Sequence, residues 1–296
     1  MKHKIFKSSD TNVSKFVFEG DDIAVEAVLY RYNSYKDRTV ICCSTQCGCP
    51  VGCSFCGTGK FFVRNLTSEE IVEQIQTVLS YIDCNPTDIK KFQIMYMSMG
   101  KPLLNLDAVI RAIRITNSLY PNAQQLISTS APSVDITKFY DLVQCSIDIN
   151  KVGLQFSVHE SNDEDRHKLI HSNTCSLSNI AYLGEYWAGS THRKPFFNYC
   201  VHKGNCSEKN VKELLALFNP QIWECTLSVI CEKDSSMKAA IESQLSIIKN
   251  FSNMMVQAGY SVRVFNPAGQ DDIGGGCGQL WYFQKWLKDK NEKNKI

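Results

Sequence analysis

The 296 residues contain no apolar run long enough to cross a bilayer. They contain no internal repeat, no low-complexity tract and no Pro/Gly-rich linker, which argues against solenoids, fibres and loosely strung modules. Charge of one sign is not in excess. The 32 basic and 30 acidic side chains leave a formal +2, so bulk charge gives no argument for a polyanionic partner, and only a local basic patch could supply one. Met1–Asp10 is basic and then polar, with no apolar stretch behind it, so no secretory signal is read there and a reducing, cytoplasmic setting is expected. What remains is globular composition, 44% hydrophobic and 21% charged, over a length common for a single α/β barrel-type domain.

Cysteine is in surplus. Six of the fourteen fall between Cys42 and Cys56, while Cys84, Cys145, Cys175, Cys200, Cys206, Cys225, Cys231 and Cys277 are scattered. Disulfide frameworks belong to much smaller chains without a core, so thiols, metal ligands or redox pairs are expected instead. Most of the scattered ones read as small buried hydrophobes.

The rest of the chain alternates between two periodicities. Thr39–Cys43 is a β-branched run that reads as a buried strand. Thr67-Ser-Glu-Glu70 is a capping-box signature, followed by Ile71, Ile75, Val78, Leu79 and Ile82 at helical spacing. Further strands are expected at Phe92–Met97, Leu126–Thr129, Val152–Val158, Pro195–Cys200 and Trp223–Ile230, with a seventh at Ser261–Phe265. Between them lie helices opened by Asn105, by about Asp135 and by Ser207. A last long one buries Ile241, Leu245, Ile248 and Met255 and stops at Gly259. Six strand–helix units in succession imply a parallel sheet with right-handed crossovers, as an open or partial barrel or a doubly wound sheet, with chemistry at the carboxyl ends of the strands. Ahead of this array, Lys15–Phe18 and Ile23–Tyr32 flank the turn cluster Glu19-Gly-Asp-Asp22 and read as a β-hairpin. The lysine-rich end from Lys285 reads as a solvated, frayed tail.

Directly after the first parallel strand comes Cys49-Pro-Val-Gly-Cys53-Ser-Phe-Cys56, a C-x3-C-x2-C loop. Three thiolates on one tight loop can hold three irons of a 4Fe–4S cube and leave the fourth iron open. The competing readings are a zinc knot, for which no fourth ligand lies close by, or a group of buried thiols. Phe55 would give a cluster an apolar wall. His167 and His171 are spaced like a metal pair but lack a third ligand, and read as helix surface.

This loop at the end of the first strand of a βα array resembles the radical S-adenosylmethionine (SAM) superfamily. The likeness narrows with Cys42-Cys-Ser-Thr-Gln-Cys-Gly-Cys49 and Arg64-Asn-Leu-Thr67, which are similar to the RlmN/Cfr family of RNA adenine methyltransferases. In the same order follow Met97-Ser-Met-Gly-Lys-Pro-Leu-Leu-Asn105, resembling MGMGEPLLN, Ser128-Thr-Ser130, resembling STS, Ser157-Val-His159 with Asn162, Asp163 and Arg166, and Asp271-Asp-Ile-Gly-Gly-Gly-Cys277-Gly-Gln-Leu280, resembling DDI..ACGQL. The similarity runs from about Phe16 to Leu280.

The resemblance implies a partial (β/α)6 TIM-type barrel over 35–280, a β-hairpin extension over 1–34 and a basic tail over 281–296. It implies a 4Fe–4S cluster on Cys49, Cys53 and Cys56, and SAM bound beside Gly100, Lys101, Ser128, Ser157, Val158 and His159. Cys277 would accept a methyl group. Cys42 would be the second working cysteine, and Glu26 the proton acceptor. Adenine C2 and C8 are electrophilic, so a methyl carried on Cys277 and activated by a second SAM would add to the ring. Cys42 would then help remove the ring proton and close a disulfide with Cys277 to release the product. Gly274–Gly276 would make that loop mobile. Expected partners are RNA, with ribosomal RNA foremost, and an electron donor such as flavodoxin or ferredoxin. The protein is expected to be a monomer, with no membrane partner.

Without the resemblance, Cys42 would read as strand packing, His159 as a strand-end histidine and Glu26 as a hairpin charge. Cys43 and Cys47 read as structural. Lys101 stands where the family has a glutamate that meets the SAM ammonium, so like charges would meet unless the lysine turns away or a carboxylate such as Asp107 compensates. The family asparagine after the sixth strand is not evident, and Cys231-Glu-Lys233 occupies that region. Relatives usually carry an N-terminal helical domain ahead of the first cluster cysteine, so RNA affinity is expected to come from local patches or a partner. A different radical SAM reaction on a non-RNA substrate, and a catalytically degenerate member of the family, are the alternative readings.

Overall fold

Seven parallel strands follow the β-branched runs in chain order: β4 (Arg38–Cys43), β7 (Lys91–Tyr96), β8 (Gln124–Thr129), β9 (Val152–Ser157), β10 (Phe196–Cys200), β11 (Glu224–Ser228) and β12 (Val262–Phe265). The structure is a computed structural model. It describes every residue except 21–22, 60, 134–135, 172, 231–237, 267–268, 270–271 and 294–296, and leaves undescribed the side chains of 238–243, 281 and 291–293. Between the strands run α1 (Ser68–Leu79), α2 (Leu106–Leu119), α3 (Ile136–Asp148), α4 (Asp163–Leu169), α5 (Leu177–Thr191), α6 (Glu208–Leu217) and α7 (Lys238–Gln257), with α8 (Trp281–Lys293) at the end. Each crossover returns to the neighbouring parallel position, the pattern of a partial barrel.

Alternation along the strands creates two faces. Ile41, Cys43, Phe92, Ile94, Tyr96, Ile127, Leu154, Phe156, Phe197, Tyr199, Cys225 and Leu227 point at the helices and are almost wholly buried. Phe156, Phe197, Phe218, Trp223 and Tyr260 interlock there through ring contacts of 5.0–6.3 Å. The other face is polar and lines the barrel interior. Helix α1 begins as its sequence specifies, with Thr67 and Glu70 capping each other reciprocally. Gly259 ends the last crossover helix at φ +96°, a conformation that favours glycine.

The antiparallel hairpin forms from β2 (Val13–Glu19) and β3 (Ala24–Tyr32), and β3 pairs antiparallel with β4, so the hairpin continues the main sheet. Its edge is extended by β1 (Lys2–Lys7), a strand within the basic and polar start of the chain. Four of the six β1 residues are charged or imidazole side chains and the strand is mostly exposed, so its pairing leaves little hydrophobic pattern to read. A small ribbon of β5 (Gln46–Gly48) and β6 (Phe62–Asn65) frames the cysteine loop.

Two other expectations are corrected. Asn105 precedes α2 but does not cap it through its side chain; its amide donates to the carbonyls of Thr45 and Leu66 at 2.8 Å each, tying the cysteine-loop framework to the start of α2. The lysine-rich end is helical through Lys293, because Phe283 is buried and Trp286 and Leu287 pack on the core while Lys285 and Lys288 face outward. Asp135, Cys231, Lys233, Asp271 and the Ile241 side chain lie outside what is described.

Candidate active site

A cavity of about 630 Å³ runs along the polar inner face of the sheet. At the carboxyl ends of the strands its wall includes Cys49, Cys53, Cys56, Gly100, Lys101, His159 and Cys277. These come from four chain segments, gathered by the parallel topology into one place.

The cysteine loop is fixed by its backbone. The Cys49 amide donates to the Phe61 carbonyl at 2.7 Å and the Ser54 amide to that of Leu169 at 3.0 Å. Gly48 turns the chain at φ +81°, where a Cβ would fall 2.2 Å from the Phe61 carbonyl oxygen. Val51, Ile170, Leu104, Leu169 and Phe55 form an apolar wall around the thiols, as read for Phe55. Burial raises the Cys49 thiol and pushes Cys53 up to about 11, against the opposing field of Lys101. Among the described residues no three His, Cys, Asp or Glu side chains converge to hold a single metal ion. A cubane needs something else, one thiolate for each of three irons, and three thiols on one loop with an apolar back and an open front fit that need.

Cys277 faces this loop from the far end of the chain. The Gly57 amide donates to the Gly278 carbonyl at 2.6 Å, and a Cβ on Gly278 would come 3.3 Å from Cys56 Cα, so the two loops touch backbone to backbone. The Tyr30 hydroxyl donates to the Gly275 carbonyl at 2.7 Å and the Gly276 amide to Gln279 Oε1 at 2.8 Å. The glycine-rich loop is thereby held at several points along its length. Residue Cys277 keeps exposed surface, yet the protein around its thiol pushes it up to about 11. Cys42, on β4, is pushed up to about 12 by burial and by the neighbouring Cys277. Both are free thiols.

Gly100 has φ +89°, and a Cβ there would lie 2.5 Å from that of Gln46. Gln46 Oε1 accepts from the Lys101 amide at 2.8 Å, an interaction no spacing in the sequence announced. Ser128 and Ser157 line the cavity, while Val158, one step out of phase, does not; its amide donates to Asn198. The buried Ser130 hydroxyl on the same wall has no partner, as a polar ligand would require. His159 Nδ1 accepts from the Cys200 amide at 3.3 Å, which leaves the proton on Nε2, and burial first, then Lys101 and Arg166, lowers it to about 3. Lys101 lines the cavity and does not turn away. Asp107 cannot compensate it, being exposed and 3.8 Å from Lys138.

Arg166 is an organiser whose role no pattern in the sequence announces. Wholly buried, it donates to the carbonyls of Val158, Cys175, Ser130 and Ser157 and to Thr174 Oγ1, tying the ends of β8 and β9 together. Cys43 and Cys47 are structural as read, donating to the carbonyls of Met95 and Ala24.

Glu26 is not brought to the cavity wall. Its carboxylate pairs with Lys15 at 2.6 Å and accepts from the Phe283 amide, in the first turn of α8, at 2.9 Å. On β3 it shares a face with Val28 and Tyr30, the face that continues the barrel interior past Cys42, and there α8 and Lys15 cover it.

An open βα barrel with a three-cysteine loop after its first parallel strand defines the radical SAM class. A radical SAM methyltransferase from Sphaerobacter thermophilus has the same fold, with a TM-score of 0.75, 26% identity, and coverage of 93% of this chain and 79% of that one. No protein-family model matches the chain. Curated relatives do. A probable dual-specificity RNA methyltransferase RlmN of Dictyoglomus turgidum is 31% identical over 96% of this chain and 80% of its own length. A dual-specificity RNA methyltransferase RlmN of Wolinella succinogenes is 32% identical over 97% and 81%. The chain belongs to the RlmN family of radical SAM RNA methyltransferases.

Proposed function

We propose that this protein methylates an adenine carbon, C2 or C8, of RNA, with ribosomal RNA the foremost substrate, using Cys277 as the methyl carrier. The observation that supports it is the meeting of Cys277 with the loop of Cys49, Cys53 and Cys56, although more than two hundred residues separate them in sequence.

Cys49, Cys53 and Cys56 would hold a 4Fe–4S cluster, and Gly100, Ser128, Ser130, Ser157 and His159 would border SAM. When bound, cluster and SAM supply a methyl group and the radical that activates it. Cys277 takes the methyl on sulfur, and its loop, clamped by Tyr30 and Gly57, holds that carbon at the cavity mouth. Cys42 would help remove the ring proton, pass it to solvent, and bond to the Cys277 sulfur as the S–CH2 bond of the adduct breaks, the radical that cluster and SAM would supply being the oxidant. The neutral His159 donates its Nε2 proton without adding charge near Lys101. Glu26 has no part as proton acceptor in this reading; it anchors α8 and, through it, the Cys277 loop. Electrons come from a flavodoxin- or ferredoxin-type donor, and the protein works as a cytoplasmic monomer.

The test is anaerobic reconstitution with iron and sulfide, then SAM, dithionite and RNA, with 5′-deoxyadenosine and the mass of the Cys277 peptide as readouts. Both products are expected. Deoxyadenosine without methyl on Cys277 would replace this reading with another radical reaction. A second reading, a family member that holds the cluster without turnover, is favoured by Lys101, which has no carboxylate partner among the described residues. It predicts a cluster spectrum and neither product.

A further inference from the structure

The same cavity has a second end. At the amino-terminal ends of the strands its wall carries Arg38, Lys151, Arg193 and Arg263, with Tyr32, Gln93, Gln124 and Phe196 between them. The registers place them on one arc: Arg38 opens β4, Lys151 immediately precedes β9, Arg193 lies just ahead of β10, and Arg263 is in β12. None of these residues belongs to the thiol end.

Two of the guanidiniums are only partly satisfied. Arg38 lies over the Tyr32 ring at 4.2 Å and donates to Gln93 Oε1 at 3.1 Å, while its buried Nε has no partner. Arg193 donates to the Asn150 carbonyl at 3.2 Å, and its buried Nε likewise has none. Among the described residues the ion-paired arginines are Arg64, Arg114 and Arg263, so neither Arg38 nor Arg193 has a carboxylate within reach. Of the nearby acids, Glu224 pairs with Arg263 at the mouth itself and Asp37 with Lys90, so the mouth keeps a net positive charge through Arg38, Arg193 and Lys151. Lys151 donates to the Pro121 carbonyl. Burial lowers the Arg193 pKa, the signature of a cation held partly out of water without its anion.

A guanidinium presents a rigid fork of donors that matches phosphate, and an aromatic face holds that fork in plane. Two guanidiniums with incompletely met hydrogen bonds and no carboxylate, around one mouth and backed by Lys151 and Arg263, make a phosphate cradle more than a carboxylate clamp. Along β4, Arg38 and Cys42 are about 13 Å apart at ~3.3 Å per residue. A strand of a few nucleotides can span the two ends, with a backbone phosphate here and a base at the thiol end.

We propose that the amino-terminal mouth of the barrel is a phosphate-binding site, formed by Arg38 and Arg193 with Lys151 and Arg263, that holds the backbone of single-stranded RNA beside the nucleotide whose base reaches the thiol end. Its RNA occupant rests on the methyltransferase reading; the phosphate site does not.

The experiment measures binding of fluorescein-labelled hexa-adenylate to the full chain by anisotropy across a salt series, and of tripolyphosphate by calorimetry. Wild type is compared with Arg193→Gln and with Arg38→Gln/Arg193→Gln. The Arg193 guanidinium donates only to Asn150, to its carbonyl and at 3.5 Å to its Oδ1, so its variant is expected to fold, and circular dichroism checks this. Single-strand binding changes its log–log salt slope by about 0.7 per phosphate contact. The double variant should therefore bind hexa-adenylate at least about ten-fold more weakly, with a slope shallower by about 1.4. Tripolyphosphate binding should fall in parallel. Equal affinity and slope in wild type and variants would overturn the site, as would binding of neither probe. Tripolyphosphate binding lost in the variants, with no hexa-adenylate binding by wild type, would uphold the phosphate site and overturn its RNA occupant.

Discussion

Replacing Lys15 with methionine tests whether Glu26 is an anchor. Lys15 and Glu26 are 1% and 0% exposed and 2.6 Å apart, and the second carboxylate oxygen accepts from α8. Removing one partner of such a pair leaves a buried charge without its counterion, at a cost of about 3–5 kcal/mol. The carboxylate left behind in Lys15→Met still meets the amino end of α8, worth up to ~1 kcal/mol or more in a partly buried site, so the lower part of that range applies. A loss of about 3 kcal/mol corresponds to a melting temperature roughly 6–12 °C lower in a chain of this size. Glu26→Gln should cost a similar amount, and Lys15→Met/Glu26→Gln far less than the sum, because the double variant leaves no unpaired charge. Chemical denaturation of all four proteins, with the thiols kept reduced, measures the coupling. The rate of Cys277 alkylation adds a second readout, since loosening α8 should speed it. Single losses under 1 kcal/mol, or strict additivity, would refute the anchor assignment.

Arg166→Lys keeps the charge but cannot reach five acceptors around one plane; a loss of about 2–4 kcal/mol in denaturant stability is expected, with the ends of β8 and β9 showing the largest rise in amide exchange. Gly100→Ala must place a Cβ 2.5 Å from that of Gln46 at φ +89°, so a cost of about 1–3 kcal/mol and a marked drop in SAM retention by equilibrium dialysis should follow. His159 is held low, to about 3. As pH falls from about 6.5 toward that value the unfolded chain takes up a proton that the folded one refuses, so stability falls with pH. His159→Gln should flatten that part of the profile, and the native imidazole carbon shifts should not titrate between pH 8 and pH 5.

Much of the fold was legible because it is written in short-range periodicity. Runs such as Thr39–Cys43 and Phe92–Met97 can pack only as strands between helices of 3.6-residue period, and seven such strands in alternation leave a parallel sheet as the natural arrangement. The C-x3-C-x2-C loop was legible because three thiols within eight residues need no tertiary information to be neighbours. Strand β1 was not, since an exposed edge strand carries little hydrophobic pattern. The helical tail was not, since its few apolar residues, Phe283, Trp286 and Leu287, lie among lysines.

The sequence by itself determined the alternating elements, the cysteine loop and the family, all of which depend on residue order and spacing. Only the tertiary structure decided where Glu26, Arg166 and Lys101 point, and which charges find partners. Glu26 is a hairpin charge until α8, more than two hundred residues later, is laid across it. Arg38 and Arg193 are ordinary surface cations in the sequence, and become a paired feature only when β4 and the approach to β10 are brought to one cavity mouth. Burial and partnership are relations between distant segments, and a linear pattern does not carry them.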